Sequence, residues 1–205
     1  MVDSSNVVYA SNDSDILLFN KREPLKKTVT LTFDDGPGRV LPEILDILKD
    51  EKVPAIFFWQ SRLLYPSRPW MRVVDEGHII GTHSTKHVNL AKVVQYKQLQ
   101  DLQYSKQKIE SITGQEVKYF RPPFGQFNKD TISAAQKLNL KTVMWRISSM
   151  DWELKERPEQ IIKNVIDNLE AGAIILLHEL PQTAAVLLDL ISEIRNKGYE
   201  LSLLN

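Results

Sequence analysis

The sequence predicts an α/β protein built on a parallel sheet, open or closed. Three observations carry that reading. Short apolar strand segments alternate with amphipathic helical segments through most of the 205 residues, with short loops between them. Nearly every motif able to do chemistry follows directly after a strand segment, where a barrel of parallel strands gathers its reactive groups. The chain carries neither G-x-G-x-x-G nor a P-loop, so the nucleotide-binding versions of this architecture lose support.

Residues 1–20 are polar apart from an apolar patch at Ile16–Phe19, which reads as a surface extension or an edge strand. A strand at 27–33 shows apolar alternation at Val29, Leu31 and Phe33. Further strands are expected at 55–59, 79–82, 117–120, 141–147, 173–177 and 199–203. Between them, helices are expected near 41–51, 69–76, 95–112, 128–138, 158–170 and 182–197. Pro158 suits an early helical position, and Gly198 stands where a C-cap glycine ends the last helix. No repeat, low-complexity tract or linker interrupts the pattern, which makes this one domain with a substantial core.

Charge bounds the partners. Twenty-six basic and 26 acidic side chains cancel, and the pI is near 6.9. That removes the electrostatic case for nucleic acid or an anionic membrane. The strongly apolar run Ala173–Leu177 is a buried strand, and no apolar run approaches the length that spans a bilayer. The absence of cysteine excludes disulfides, thiol catalysis and cysteine-based zinc sites, and suits the cytoplasm or the surface of a Gram-positive cell. The first residues lack a signal-peptide pattern, but a chain trimmed of its export signal reads the same way.

The chemistry concentrates in two segments. Thr32-Phe33-Asp34-Asp35-Gly36-Pro37 ends the first strand with two adjacent carboxylates at a Gly-Pro turn. Neighbours within a strand point to opposite faces, so both can serve one site only where the strand ends. His83-Ser84-Thr85-Lys86-His87 offers two imidazoles at i and i+4, the spacing that puts ligands on one side of a helical turn. Two histidines and a carboxylate are a common set for a catalytic divalent ion with a position open for water. The second carboxylate is then free to act as a base. Taken alone, Asp-Asp-Gly is more often a turn or helix cap, and H-x-x-x-H is as often a surface pair. What favours the functional reading is economy, since the chain has only four histidines, His78, His83, His87 and His178. Three later motifs also follow strands: Arg121-Pro122-Pro123-Phe124-Gly125, Asp151-Trp152 and His178.

With these residues the chain resembles the NodB-type polysaccharide deacetylases, carbohydrate esterase family four, from about Lys27 to Leu204. The matching pieces are Thr-Phe-Asp-Asp-Gly at 32–36, His-Ser-x-x-His at 83–87, Arg-Pro-Pro-Phe-Gly at 121–125, Asp-Trp at 151–152 and Leu-x-His at 176–178. Each is weak to moderate alone; five in the family's order are highly specific. The resemblance implies a distorted (β/α) barrel of about seven parallel strands, similar to a TIM barrel. It divides the chain into an N-terminal extension, 1–26, and a catalytic domain, 27–205.

The resemblance also implies roles. Asp35, His83 and His87 would hold one divalent ion, zinc first, with cobalt, nickel or manganese as alternatives. Such an ion lowers the pKa of water and polarises the acetyl carbonyl. Asp34 matches the general base, and Arg121 the arginine that keeps it charged and aimed despite burial. Pro122 and Pro123 lack amide hydrogens, so the first backbone donor after Arg121 is Phe124, which matches the oxyanion N–H. His178 matches the general acid for the leaving amine, Asp151 the carboxylate that supports its imidazolium form, and Leu176 and Trp152 the apolar walls around the acetyl methyl. His78 reads as structural.

Some positions depart from the family pattern. Ser148 replaces an aspartate of Asp-x-x-Asp-Trp, Thr82 and Val88 replace residues flanking the two histidines, and Phe124 replaces a frequent tyrosine. Trp70, Trp145 and Tyr65 are candidate sugar-stacking groups, with Trp145 better suited to the core. The expected function is metal-dependent removal of N-acetyl groups from N-acetylglucosamine-containing polymer, in peptidoglycan or chitin-like oligosaccharide, by a monomer. The expected location is extracytoplasmic or cell-surface if an export signal has been removed, with the cytoplasm as the alternative. Two other readings remain: an amidohydrolase of the same scaffold acting on a small amide or cyclic ureide, and a catalytically silent module that binds wall carbohydrate.

Overall fold

The computed structural model describes residues 7–20, 27–66 and 70–204. Fifteen main elements follow one another: β1 (Ile16–Leu17), β2 (Thr28–Gly36), α1 (Leu41–Asp50), β3 (Ala55–Trp59), α2 (Trp70–Asp75), β4 (Ile79–Thr82), α3 (Gln95–Thr113), β5 (Tyr119–Phe120), α4 (Lys129–Lys137), β6 (Lys141–Val143), β7 (Ile147–Ser148), α5 (Glu159–Ile166), β8 (Ile174–His178), α6 (Pro181–Asn196) and β9 (Glu200–Leu201). Short 3-10 turns lie at 61–63, 90–92, 123–125 and 151–153.

The named strands pair in parallel as a single curled sheet in the order β1-β6-β5-β4-β3-β2-β8-β7, with β9 added beside the start of β2. Helices cover its outer surface, so this is the distorted (β/α) barrel expected from the sequence. The alternation in β2 explains what faces where. Val29, Leu31 and Phe33 pack outward against helical residues such as Leu41, Ile44, Leu45 and Leu48 of α1. Those four recur at helical spacing, which is why α1 buries one stripe. The intervening Thr30, Thr32 and Asp34 therefore face the inside of the curl. On β3, Phe57 and Trp59 join the outer layer, while Ile56 and Phe58 join an inner cluster with Tyr119, Val143 and Ile174. A strand buried on both faces must be apolar throughout, as Ala-Ile-Phe-Phe-Trp is.

Three expectations need correction. The strand at 141–147 is two strands, because the side chain of Arg121 takes the carbonyls of Val143 and Met144 and the ladder is interrupted there. The first strand does not stop before its acidic pair but runs on to Gly36. And 83–87 is no helical turn: Ser84 and His87 both have positive φ, 64° and 57°, in a tight loop closed by a bond from His87 N to Ser84 Oγ.

The apolar patch at Ile16–Phe19 does supply a strand, at the sheet's edge. Leu17 O accepts from Met144 N, Leu18 O from Ile174 N, and Asn20 N donates to Gly172 O. This segment thereby closes the seam between β6 and β8. No helix among the described residues is long and apolar enough to cross a membrane.

Candidate active site

A cleft of about 400 Å³ opens at the carboxyl ends of the strands, lined by both aspartates, His83, His87, His178, Pro122, Phe124, Gly125, Trp145, Trp152, Leu176 and Leu180. The acidic pair reaches it by a device that strand alternation alone forbids. Asp34 stands in register with Phe58 on one side and His178 on the other, facing inward. The register with β3 then slips between Asp34 and Gly36, and Asp35 takes φ 69°. This bulge turns the next side chain to the same side.

Asp34 is buried, and its Oδ1 accepts from Arg121 Nη1 at 2.8 Å. Arg121 has no exposed surface and is held from every side: Nη1 also donates to Thr32 Oγ1, Nε to Val143 O and Nη2 to Met144 O. Its guanidinium lies over the Phe58 ring at 4.3 Å. Burial lowers its pKa from the ordinary value, which the Asp34 carboxylate partly offsets. A guanidinium has no acceptor and does not lose its proton, so this pair is a fixed charge pair.

Asp35, His83 and His87 bring one ligand atom each within 4.8 Å of one another. Asp35 Oδ1 lies 3.4 Å from His87 Nε2 and 3.9 Å from His83 Nε2, beyond hydrogen-bond length. His83 Nδ1 is 2.7 Å from the carbonyl of Arg121, which can only accept; Nδ1 therefore carries the proton and the Nε2 lone pair faces the cleft. Burial pushes the His83 pKa down more than the two aspartates raise it, which favours the neutral ring that a metal needs. Burial raises Asp35, but His83, His178, His87 and the Gln60 amide more than offset it and hold the carboxyl below its ordinary value. Two imidazole nitrogens and a carboxylate oxygen fit a divalent ion of the zinc, cobalt or nickel type.

His178 closes the opposite wall. Its Nδ1 meets Asp151 Oδ1 at 2.7 Å, and its backbone N donates to Asp151 Oδ2, also at 2.7 Å. Thr183 Oγ1 donates to that second oxygen at 2.6 Å. Burial alone would lower the His178 pKa; the Asp151 hydrogen bond and charge, helped by Asp34 and Asp35, push it up to about 9. Trp152, partly exposed, sets its ring edge-on to His178 at 5.1 Å, and Leu176 lies buried beneath the cleft.

Phe124 is 60% exposed with φ 61°, its ring 4.4 Å from that of His87. It sits ahead of the first backbone bond of its 3-10 turn, from Gly125 N to Pro122 O. Gly125, at φ 63°, admits no side chain because a Cβ would stand 2.6 Å from Trp145. The ten residues to which the family resemblance gives roles thus meet at or directly behind one cleft. Of the three stacking candidates only Trp145 lines it; Trp70 packs against the outer core and Tyr65 is exposed elsewhere. His78 lies at the start of β4, far from the cleft end, where its Nδ1 accepts from Ala55 N.

Four polar residues escaped the sequence reading: Thr32, Gln60, Glu179 and Thr183. Glu179 accepts from Trp59 Nε1 and Gly38 N, and a Cβ on Gly36 would run into its carboxylate. Gln60 and Glu179 do have a signal in hindsight, since each is a polar residue directly after an apolar strand.

A sequence profile described as polysaccharide deacetylase matches residues 21–143. The chain belongs to this family. Peptidoglycan-N-acetylmuramic acid deacetylase PdaA of Bacillus subtilis strain 168 is 32% identical, over 85% of this chain and 68% of its own length. The crystal structure of a peptidoglycan N-acetylglucosamine deacetylase, in complex with 4-naphthalen-1-yl-N-oxidanyl-benzamide, superposes with a TM-score of 0.85 at 29% identity, covering 92% of this chain and 90% of that one. A family pseudoenzyme from Bacillus anthracis superposes with a TM-score of 0.82 at 31% identity, covering 87% of this chain and 64% of that one. A mutant of it, described as having restored enzymatic activity, gives the same TM-score at 33% identity, covering 87% of this chain and 66% of that one.

Proposed function

We propose that this chain is a metal-dependent N-deacetylase of N-acetylglucosamine-containing polysaccharide, acting on peptidoglycan or on chitin-like oligosaccharide. The observation that carries the reading is the presence, in one cleft, of two charge pairs poised oppositely. Asp34 is held at 2.8 Å by the Arg121 guanidinium, a permanent cation, and His178 is held at 2.7 Å by Asp151, which favours its protonated ring. A carboxylate beside a fixed cation is placed to act as a base, and an imidazole beside a carboxylate to act as an acid.

Asp35, His83 and His87 would hold a divalent ion, which when bound would polarise the acetyl carbonyl and make water more acidic. The side chains do the rest. Asp34 takes the proton from water as it attacks, with Arg121 holding the carboxylate in line. The Phe124 N–H donates to the oxygen that gains charge. His178 then protonates the departing amine, which is a poor leaving group until it carries that proton. Leu176 and Trp152 wall in the acetyl methyl, which favours acetyl over bulkier acyl groups. Every group comes from one chain, so a monomer suffices, and a wall-polymer substrate suits an extracytoplasmic or cell-surface location if an export signal has been removed, with the cytoplasm as the alternative.

The pseudoenzyme neighbour gives the silent-module reading a specific basis. Against it stand Asp34, Arg121 and His178, all present and mutually supported, which carbohydrate binding alone does not require. Acetate release from chitin oligomers and peptidoglycan, with and without chelator, tests the proposal. Release that stops with chelator and returns with zinc is expected. No release from any polymer by metal-loaded protein would favour the silent module. Faster turnover of a cyclic ureide than of every oligosaccharide would favour the small-amide hydrolase.

A further inference from the structure

The two loops that carry the ligand set do not touch the metal position unsupported; the end of β3 runs between them. Sheet order places β3 between β2 and β4. Just past the strand, Gln60 N donates to Gly36 O at 2.9 Å, next to Asp35. On the other side Ser61 N donates to Ser84 O at 3.2 Å and Arg62 N to Thr85 O at 3.1 Å, inside the loop from His83 to His87. The segment 60–62 is therefore stitched by backbone bonds to both ligand loops.

Its side chains add something the backbone cannot. Arg62 Nε donates to Gln60 Oε1 at 3.0 Å, and Gln60 Nε2 donates to Asp35 Oδ1 at 2.8 Å. The direction of this chain is forced. Arginine has no acceptor, so the amide oxygen of Gln60 must face it, the amide nitrogen must face Asp35, and Asp35 must accept. The oxygen that accepts is Oδ1, the atom nearest both imidazoles. A carboxylate oxygen has two lone pairs; with one taken by Gln60, the other remains for an ion shared with His83 and His87, whose Nε2 atoms lie 3.9 and 3.4 Å from Oδ1. Asp35 needs this restraint more than the histidines do. Its side chain is 41% exposed, against 3% for His83 and 23% for His87, so its own packing does not hold one rotamer.

We propose that Arg62 and Gln60 form a positioning relay that orients the Asp35 carboxylate and thereby sets the affinity of the site for its divalent ion. The inference rests on the metal reading given above. Neither residue touches substrate or ion; each acts through Asp35.

Charge makes the test sharp. Arg62 is a cation near a site for a dication, so by Coulomb's law alone its removal tightens metal binding. The relay predicts the opposite sign. Zinc and cobalt affinities of the 205-residue chain are measured by competition with a chromophoric chelator, for wild type, Arg62→Ala, Gln60→Leu and the double variant. Gln60→Leu is expected to weaken zinc by roughly 10–100-fold, the usual cost of losing a hydrogen bond behind a metal ligand. Arg62→Ala is expected to cause a smaller loss of the same sign, and no further loss in the Gln60→Leu background, since its effect passes through Gln60. The cobalt absorption band should shift in both single variants, as a ligand that turns alters the field at the ion. Tighter or unchanged binding in Arg62→Ala overturns the relay, as does full additivity in the double variant. Should Gln60→Leu not fold, the sign of the Arg62→Ala change still decides, because that side chain is on the surface. A wild-type chain that binds neither ion overturns the metal reading itself, which is a different result from a variant that binds as well as wild type.

Discussion

At the scale of single residues, the site works by giving like groups unlike surroundings. Asp34 and Asp35 are neighbours of identical chemistry, yet one is locked to Arg121 and the other faces two imidazoles. His178 differs from His83 in the same way: a carboxylate on its Nδ1 favours the charged ring, whereas deep burial pushes the His83 pKa down despite the nearby aspartates and the Arg121 carbonyl. Asp151→Asn removes the main support of the His178 imidazolium. The alkaline limb of the pH–rate profile should then move from about 9 toward the ordinary 6.5, and activity at pH 8 should fall. An unmoved limb with unchanged rate would take Asp151 out of the mechanism. Thr183→Val should shift the same limb less, because it loosens Asp151 without removing its charge. Thr183→Ser should restore the wild-type profile.

At the scale of elements, the sequence made strands and helices legible but hid the irregularities that build the site. Apolar periodicity located nearly every element to within a few residues, since periodicity reports which face is buried. It could not show the bulge at Asp35, because positive φ at a non-glycine residue leaves no mark in polarity. It misread the loop from His83 to His87 as helical for the same reason: i, i+4 spacing is also met by a tight turn with two left-handed residues. The break between β6 and β7 depends on a side chain from β5, a tertiary effect outside any local window. Motif resemblance supplied what periodicity could not, and it found the residues on the cleft but not Gln60 or Thr183 behind them. The glycine after the acidic pair permits a close approach. Gly36→Ala should drive the new methyl into the Glu179 carboxylate and the Trp59 indole. Overpacking of this kind costs about 1–3 kcal/mol. A lowered melting temperature, together with weaker zinc binding because Asp35 moves, is the expected outcome; native stability and affinity would mean that the loop has room to spare.

At the scale of the whole molecule, stability and chemistry are titrated at opposite ends of the barrel. His78 is buried at the amino end of β4, and burial pushes its pKa down from 6.5 to about 4. As pH falls below 6.5 the unfolded chain takes up this proton first, so stability is intact above 6.5 and drains away toward 4. The loss amounts to roughly 3 kcal/mol from this group. His178 does the reverse in the metal-free chain. Its raised pKa gives stability that is complete below 6.5 and lost as pH rises through about 9. Denaturant unfolding of metal-free protein should show both flanks. His78→Asn, which keeps an acceptor for Ala55 N, should flatten the acidic flank alone. An acidic flank as steep as in wild type would assign that loss to other groups.

The proposed mechanism stands on Asp34 being a base distinct from the metal ligands. Its direct test is the rate of acetate release by Asp34→Asn with bound zinc counted in the same sample. The amide keeps an oxygen acceptor for Arg121 but leaves that buried cation without a counter-charge, so some loss of melting temperature accompanies the change. A folded variant with full zinc occupancy and a rate lowered by roughly 10²–10⁴-fold is expected, the usual worth of a positioned base. A zinc-loaded variant that releases acetate near the wild-type rate would contradict it.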